Sequence, residues 1–358
     1  MEQEIHEQPR ALARALEARL LPEQGRIELE GVSLDPQWLR TLSEIRIVGC
    51  GTAAHAGRFG SYLFESLAKL PARAELASEL REREPLLGPR HWLVAISHSG
   101  ETSETLAALR SARAQGCPTL AITSAPGSSL ALEADQWLCT RSGIERAIPS
   151  TKGFTTQLVA LYMLALEIAR LRQTLVSADL ERALRELAAL PDLFEAALEL
   201  WGPTLALARE LHAAHSYMLV GRGLGHPIAL EGALKLAETS YLPAEGQALG
   251  ALRHGPIARV DTTTPVMLLA HAPEGRGRWI DLADELRTIG APRIVVCARG
   301  DSSPLDWSEH LLRIPAAPEP LASMLAVMPL QMLAHHVARL RGNDVDRPRH
   351  LTKSVTDE

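Results

Sequence analysis

The chain repeats itself once. Residues 45–70, "IRIVGCGTAAHAGRFGSYLFESLAKL", read as an apolar strand, a glycine turn and a helix, and residues 217–238, "YMLVGRGLGHPIALEGALKLAE", take the same form. Residues 91–116, "HWLVAISHSGETSETLAALRSARAQG", pair with 265–290, "PVMLLAHAPEGRGRWIDLADELRTIG". Residues 119–138, "TLAITSAPGSSLALEADQWL", pair with 293–314, "RIVVCARGDSSPLDWSEHLLRI". The spacing of about 172 residues is too long for a solenoid repeat and marks duplication of a whole domain. Short β-rich runs alternating with longer helical patterns predict parallel sheets covered by helices. The expected fold is therefore α/β, with two domains, each a parallel sheet sandwiched by helices in three layers. The pattern places an N-terminal helical segment at 1–30 and the first domain at 31–177. A helical connector follows at 178–207, then the second domain at 208–340 and a tail at 341–358.

Composition narrows the class. A length of 358 residues suits two domains, and 46% apolar with 22% charged residues is ordinary for a soluble chain. The net charge is −6 and no long basic block occurs, which argues against a nucleic-acid surface. Cys50, Cys117, Cys139 and Cys297 are far apart, with no CxxC, so neither a disulfide framework nor a zinc site is expected. No metal and no cofactor are expected. The N-terminus lacks the apolar core of a signal peptide. The most apolar later stretch, "LASMLAVMPLQMLAHHVARL", is interrupted by Ser323, Pro329, Gln331 and two histidines, and is expected to fall short of a membrane helix. A cytoplasmic protein without a membrane partner is expected.

The two copies differ in one loop. The first half carries "SHSGET" after its second strand, whereas the second half has "AHAPEG" there, stripped of hydroxyls. A loop needed only for folding would be kept in both copies, so this one reads as a ligand site. Ligands of open α/β sheets bind beyond the carboxyl ends of the strands. A helix starting there offers free N–H groups and a positive dipole end to an anion. Gly100 lets the backbone approach, and Ser97, Ser99 and Thr102 add hydroxyl donors. A phosphate on a small ligand fits. The alternative is plain N-capping of the helix by Thr102 or Ser103.

The second half holds "ALEGALKLAETSYLPAEGQALGALRHGP". On a helix, Glu231, Lys235 and Glu238 share one face. They read either as a solvated salt-bridge stripe or as reactive groups at a ligand crevice. His254 sits in the "RHGP" turn. The tail "DVDRPRHLTKSVTDE" is polar and aperiodic, with Lys353 its only lysine; an ordered tail of this kind is expected to dock.

Together, "ISHSGET", "STKGFTTQL", "ALEGALKLAETSY", "HGP" and "LTKSVT" resemble the sugar isomerase (SIS) family, in particular the isomerase half of the glutamine–fructose-6-phosphate aminotransferases, over nearly the whole chain. The resemblance implies two SIS domains and a homodimer with active sites at the subunit interface. It implies a small sugar phosphate as ligand, gripped by Ser97, His98, Ser99 and Thr102, with Cys50, Gly51, Thr52, Ile148, Ser150 and Thr352 also lining the site. Glu238 would move a proton between C1 and C2, assisted by Lys235. His254, from the neighbouring subunit, would promote ring opening, and Lys353 would form a Schiff base with the open-chain ketose. These residue types suit the chemistry: aldose–ketose interconversion needs one base serving two carbons, and a lysine can turn a carbonyl into an electron sink.

Several positions depart from the related pattern. Ala53 replaces a serine, His98 a glutamine, Pro149 a small residue, Gly153 an alanine, and Ala251 an acid. The chain opens like the isomerase half, and no cysteine precedes Cys50, so no glutaminase is expected. That favours conversion of glucosamine 6-phosphate to fructose 6-phosphate and ammonia. Ammonia-dependent synthesis, synthesis with a separate glutaminase chain, and deglycation of a fructosamine phosphate use similar groups. A sugar-phosphate sensor without turnover is the reading from another class.

Overall fold

Runs such as His91–Ile96 and Tyr217–Gly221 are apolar at nearly every position, as parallel strands covered on both faces must be. The structure, a computed structural model, describes residues 1–83, 85–272 and 274–356; residues 84, 273, 357 and 358, which fall in the expected first domain, second domain and tail, lie outside the described residues. The chain forms two compact units. The leading unit comprises Arg10–Glu145, Lys152–Ala189 and Thr352–Glu358, and the trailing unit comprises Met1–Pro9, Arg146–Thr151 and Leu190–Leu351. The expected tail is thus divided, its last segment belonging with the leading unit.

The leading unit is built on five strands: β1 (Glu44–Gly49), β2 (Ala72–Leu76), β3 (His91–Ile96), β4 (Thr119–Thr123) and β5 (Gln136–Cys139). They lie in the order β2-β1-β3-β4-β5, all parallel, with Ile47 opposite both Ala74 and Val94. Helices α1 (Thr52–Ser66), α2 (Ser103–Ala114) and α3 (Lys152–Leu171) belong to this unit. Leu106, Leu109 and Ala112 of α2 pack with Leu93, Ala95 and Ala121 of the sheet. α1 meets α3 at Gly60, where an added Cβ would lie 2.9 Å from Leu161 Cδ2. Truncating Leu161 to alanine would leave a cavity there, at a cost of about 2–5 kcal/mol.

The trailing unit repeats the scheme. Strands β6 (Tyr217–Gly221), β7 (Ala244–Ala248), β8 (Val266–Leu269), β9 (Arg293–Ala298) and β10 (His310–Ile314) are parallel in the order β10-β9-β8-β6-β7. Taken from the other edge, this is the order of the leading sheet, so the repeat in the sequence is a repeat in topology. Helices α4 (Gly225–Ser240), α5 (Arg276–Ile289) and α6 (Val327–Leu340) cover it. α4 lies between sheet and α6: a Cβ on Gly232 would meet Leu219 Cδ2 at 2.8 Å and Leu330 Cδ1 at 2.6 Å. On the other face, Trp279, Leu282 and Leu286 of α5 pack with Met218, Val220, Leu268 and Val295.

One expectation needs correction. Lys152–Leu171 and Glu319–Leu340 are long and apolar enough, by length and composition, to cross a membrane, each with mean hydropathy 1.3. Ser323, Gln331, His335 and His336 interrupt the second stretch but carry no fixed charge, so they do not lower it enough. Both stretches are interior: 89% and 100% of their apolar windows are buried. Such burial is what a central core helix requires.

Candidate active site

In the leading sheet β1 and β3 are neighbours, and the chain leaves β2 on one side and β4 on the other. In open sheets of this kind such a switch in strand order marks the carboxyl ends of the flanking strands, here β1 and β3, as the place where ligands bind. The turn after β1 is Cys50–Gly51–Thr52; Gly51 has φ +51°, and Thr52 opens α1. Cys50 is half-buried, with its sulfur 3.9 Å from Thr105 Oγ1, and burial pushes its thiol pKa up.

The loop after β3 is tied together by its own hydroxyls. Ser97 Oγ lies 2.9 Å from Thr102 Oγ1 and 3.5 Å from Ser99 Oγ, and accepts the Gly100 N–H at 3.0 Å. Ser99 Oγ accepts the Glu101 N–H at 3.2 Å. Thr102 occupies the N-cap position of α2, yet its side chain does not cap the helix. The capping alternative therefore does not explain the cluster. Gly100 has φ +71°, and a Cβ there would lie 2.0 Å from Ser128 Oγ. Ser128 itself caps the short helix Ser129–Glu133, as a turn with a capping serine should.

The tail docks on this loop's helix. Ser103 N–H, at the start of α2, donates to the Val355 carbonyl at 3.1 Å. Lys353 Nζ donates to Glu145 Oε2 at 2.8 Å, and His98 Nε2 lies 3.7 Å from the same oxygen. Glu145 is fully buried and also accepts the Gly153 N–H at 3.0 Å. Burial alone would raise its pKa. His98 and then Lys353 outweigh that, and with the Gly153 N–H they hold the carboxyl down at about 2. Thr352 is exposed and donates to the Ser354 carbonyl at 3.1 Å.

In the trailing unit, Lys235 is not part of a solvated stripe. Its side chain is 1% exposed, between fully buried Glu231 at 3.2 Å and Glu238, which it contacts directly. Burial would lower its pKa, but the two carboxylates raise it well above the usual lysine value, so it stays an ammonium. Glu238 is 14% exposed, the most accessible of the three. Ile148 and Ser150 belong to the same unit; Ile148 N–H donates to the Asp346 carbonyl at 2.9 Å, and buried Glu4 accepts the Ala147 N–H at 3.2 Å. His254, itself exposed, ends the 3-10 turn Leu252–His254 after β7, whose Leu252 is buried.

The leading unit thus brings Ser97, His98, Ser99, Thr102 and Lys353 together. The trailing unit brings Lys235 and Glu238 together and holds Ile148, Ser150 and His254 elsewhere along its chain. The residue that sequence reasoning missed is Glu145. A lone acid in "GIERAIPS" carries no visible signal, because its partners lie at positions 98 and 353. Among the described residues, no group of three or more His, Cys, Asp or Glu is placed to hold a metal ion.

The chain is similar to known proteins in sequence and in fold. The SIS domain family matches residues 39–167 and 210–341, which carry the two parallel sheets. The glutamine–fructose-6-phosphate aminotransferase (isomerizing) of Streptomyces coelicolor is 42% identical over 362 residues, covering all of this chain and 59% of that protein. That of Mycobacterium tuberculosis is also 42% identical, with 58% of it covered. The chain therefore spans less than two thirds of the length of these curated relatives. Among solved structures, the C-terminal domain of glucosamine-fructose-6-phosphate aminotransferase from Francisella tularensis has a TM-score of 0.91 and 35% identity, over 97% of this chain and 98% of that one. The glucosamine-6-phosphate deaminase of Thermotoga maritima shares the fold, with a TM-score of 0.76 and 24% identity over 99% of this chain and 98% of that one. With both of its sheets matched and its whole length aligned to such relatives, the chain belongs to the SIS domain family.

Proposed function

We propose that the chain is a phosphosugar isomerase that converts glucosamine 6-phosphate to fructose 6-phosphate and ammonia. The observation that carries the reading is Lys235, fixed as an ammonium against Glu238 on α4. A permanent cation beside a carboxylate keeps it ionised and able to take a carbon-bound proton, and it favours the negative charge that develops on an enediol or enolamine.

The roles follow from residue type. The hydroxyl loop of Ser97, Ser99 and Thr102, with the α2 N-terminus, grips the phosphate, and its binding energy positions the reacting end. Cys50, Gly51, Thr52, Ile148, Ser150 and Thr352 line the sugar. His254 opens the ring. Glu238 removes the C2 proton of the open-chain amino aldose and returns a proton to C1, which leaves an imine at C2. Lys353 displaces ammonia from that imine and forms its own Schiff base; water then hydrolyses it to release fructose 6-phosphate. The same groups run the reverse reaction when ammonia is supplied. His254, exposed on its turn, is assigned to the neighbouring subunit's site in a cytoplasmic homodimer.

An ammonia-release assay over a panel of sugar phosphates tests the reading, with Glu238→Gln as control. Release from glucosamine 6-phosphate by the wild type, reduced by about 10²–10⁴ in the variant, is expected. No release from any member, and no isomerisation, would favour a binding-only sensor.

A further inference from the structure

We infer that Glu101 is a positioning residue of the phosphate grip: clamped by Ser129 from the next loop, it holds Ser99 and Thr102 in the shape that receives the anion. The inference rests on the phosphate-binding role given above to Ser97, Ser99 and Thr102. A carboxylate is out of place in a loop built for an anion, since like charges repel at close range. Here both of its oxygens are engaged by Ser129. Oε1 accepts the Ser129 N–H at 2.9 Å, and Oε2 accepts the Ser129 hydroxyl at 2.7 Å. At its other end the Glu101 N–H donates to Ser99 Oγ at 3.2 Å. A hydroxyl that accepts there still has its own hydrogen to give to a phosphate oxygen. Glu101 is therefore tied at both ends, between the loop after β4 and a hydroxyl of the grip.

The same two loops are joined through the backbone as well. The His98 carbonyl accepts the Ser124 N–H at 3.2 Å, the Ser124 hydroxyl at 2.9 Å and the Thr123 hydroxyl at 3.2 Å. The Gly100 carbonyl accepts the Leu130 N–H at 3.0 Å. Those bonds fix positions 98 and 100, and Glu101 extends the hold by a side chain just ahead of Thr102. A loop already in its bound shape loses less freedom when the ligand arrives, so the gain is in affinity.

The second copy of the domain is an internal control. The two copies place Gly275 opposite Glu101 and Ser303 opposite Ser129. Ser303 has the same two donors, but both go to Asp301 of its own loop: the N–H at 2.9 Å and the hydroxyl at 2.7 Å, to Oδ1. The loops after β8 and β9 are joined by Arg276 and Asp301 at 3.2 Å, a bond that starts from the first residue of α5 and not from the loop ahead of it. The fold can thus satisfy this serine locally and join its loops with a glycine where Glu101 stands. In the copy that carries the hydroxyls, the acid comes from the hydroxyl loop itself.

The test is binding of inorganic phosphate to the full chain, measured by calorimetry at pH 7. Glu101→Gln keeps the size of the side chain and removes a negative charge. Repulsion alone would make this variant bind phosphate more tightly; loss of the clamp makes it bind about tenfold more weakly, which is the expected result. Ser129→Ala keeps the N–H and is expected to weaken binding about threefold; lying outside the loop, it carries the test if Glu101→Gln fails to fold. The double variant should match Glu101→Gln within about twofold, since both changes break one clamp. Asp301→Ala breaks the corresponding bonds in the trailing copy and should leave phosphate binding within about twofold of wild type. In the ammonia-release assay, Glu101→Gln should raise KM for glucosamine 6-phosphate about tenfold with kcat changed less than about threefold, a split that general loosening of the chain would not give. Phosphate bound at least as tightly by Glu101→Gln and Ser129→Ala as by wild type, with Ser97→Ala weakened, would overturn the inference and leave the phosphate reading intact. Additive losses in the double variant, or equal weakening by Asp301→Ala, would also overturn it. No phosphate binding by the wild type would remove the phosphate reading and the inference with it.

Discussion

Lys353 and Glu145 are 208 positions apart in the chain, and their side chains meet at 2.8 Å inside the leading unit. This pair, with the Ser103–Val355 backbone hydrogen bond, fixes a polar tail that has no apolar face of its own. Glu145→Gln removes the charge and keeps the shape. The tail is expected to loosen, with about 1–3 kcal/mol less protection for residues 352–356. Amide hydrogen exchange of the tail peptide checks this; unchanged protection would show that the Lys353–Glu145 pair does not hold it.

Lys235→Met leaves Glu231 and Glu238 facing each other without the cation between them. Removing one partner of a buried set costs about 3–5 kcal/mol, and a lower denaturation midpoint in urea is expected. Glu238→Gln leaves Lys235 with Glu231 and should cost far less stability. Equal losses in the two variants would contradict the central position given to Lys235.

Acid should weaken the trailing unit first. Burial holds His271, bonded to Ser323 at 2.8 Å, down at about 4, and burial with His336 nearby does the same for His335. Unfolded, each takes a proton near 6.5, so the unfolded state binds more protons between pH 6.5 and 4. Their contribution is complete above 6.5 and is lost as pH falls to about 4, by up to about 3 kcal/mol each. Glu145 has the same sign in a lower window: its contribution is lost only as pH falls from about 4.5 towards 2. Urea titrations from pH 7 to 4 check the slope, and His271→Gln should flatten it.

Gly100→Ala tests whether loop shape and phosphate grip are one property. The new Cβ would strike Ser128 Oγ, and a φ of +71° strains any side chain. A stability loss of about 1–3 kcal/mol is expected, together with weaker inhibition by inorganic phosphate. Ser97→Ala should weaken phosphate about tenfold with a smaller stability loss, since Ser97 Oγ also holds the Gly100 N–H.

The fold was readable because parallel strands covered on both faces are continuous apolar runs. His91–Ile96 and Tyr217–Gly221 announce themselves, and a second copy confirms each assignment. The hydroxyl loop was readable because one copy keeps what the other discards. Burial was not readable. Glu231, Lys235 and Glu238 have the spacing of a surface stripe, and only packing shows that Glu231 and Lys235 are enclosed. Glu145 was invisible for another reason: its meaning comes from His98 and Lys353, which the chain order keeps far away. The length and apolarity of 319–340 were underestimated because uncharged polar residues interrupt a helix without exposing it.

Glu238 is the group proposed to move a proton between two carbons. Its most direct test is solvent exchange: fructose 6-phosphate is incubated with the protein in D₂O and deuterium at C1 is followed by NMR. The wild type is expected to incorporate deuterium at C1, and Glu238→Gln to do so at least about a hundredfold more slowly while still binding inorganic phosphate. Exchange at the wild-type rate in Glu238→Gln would contradict it.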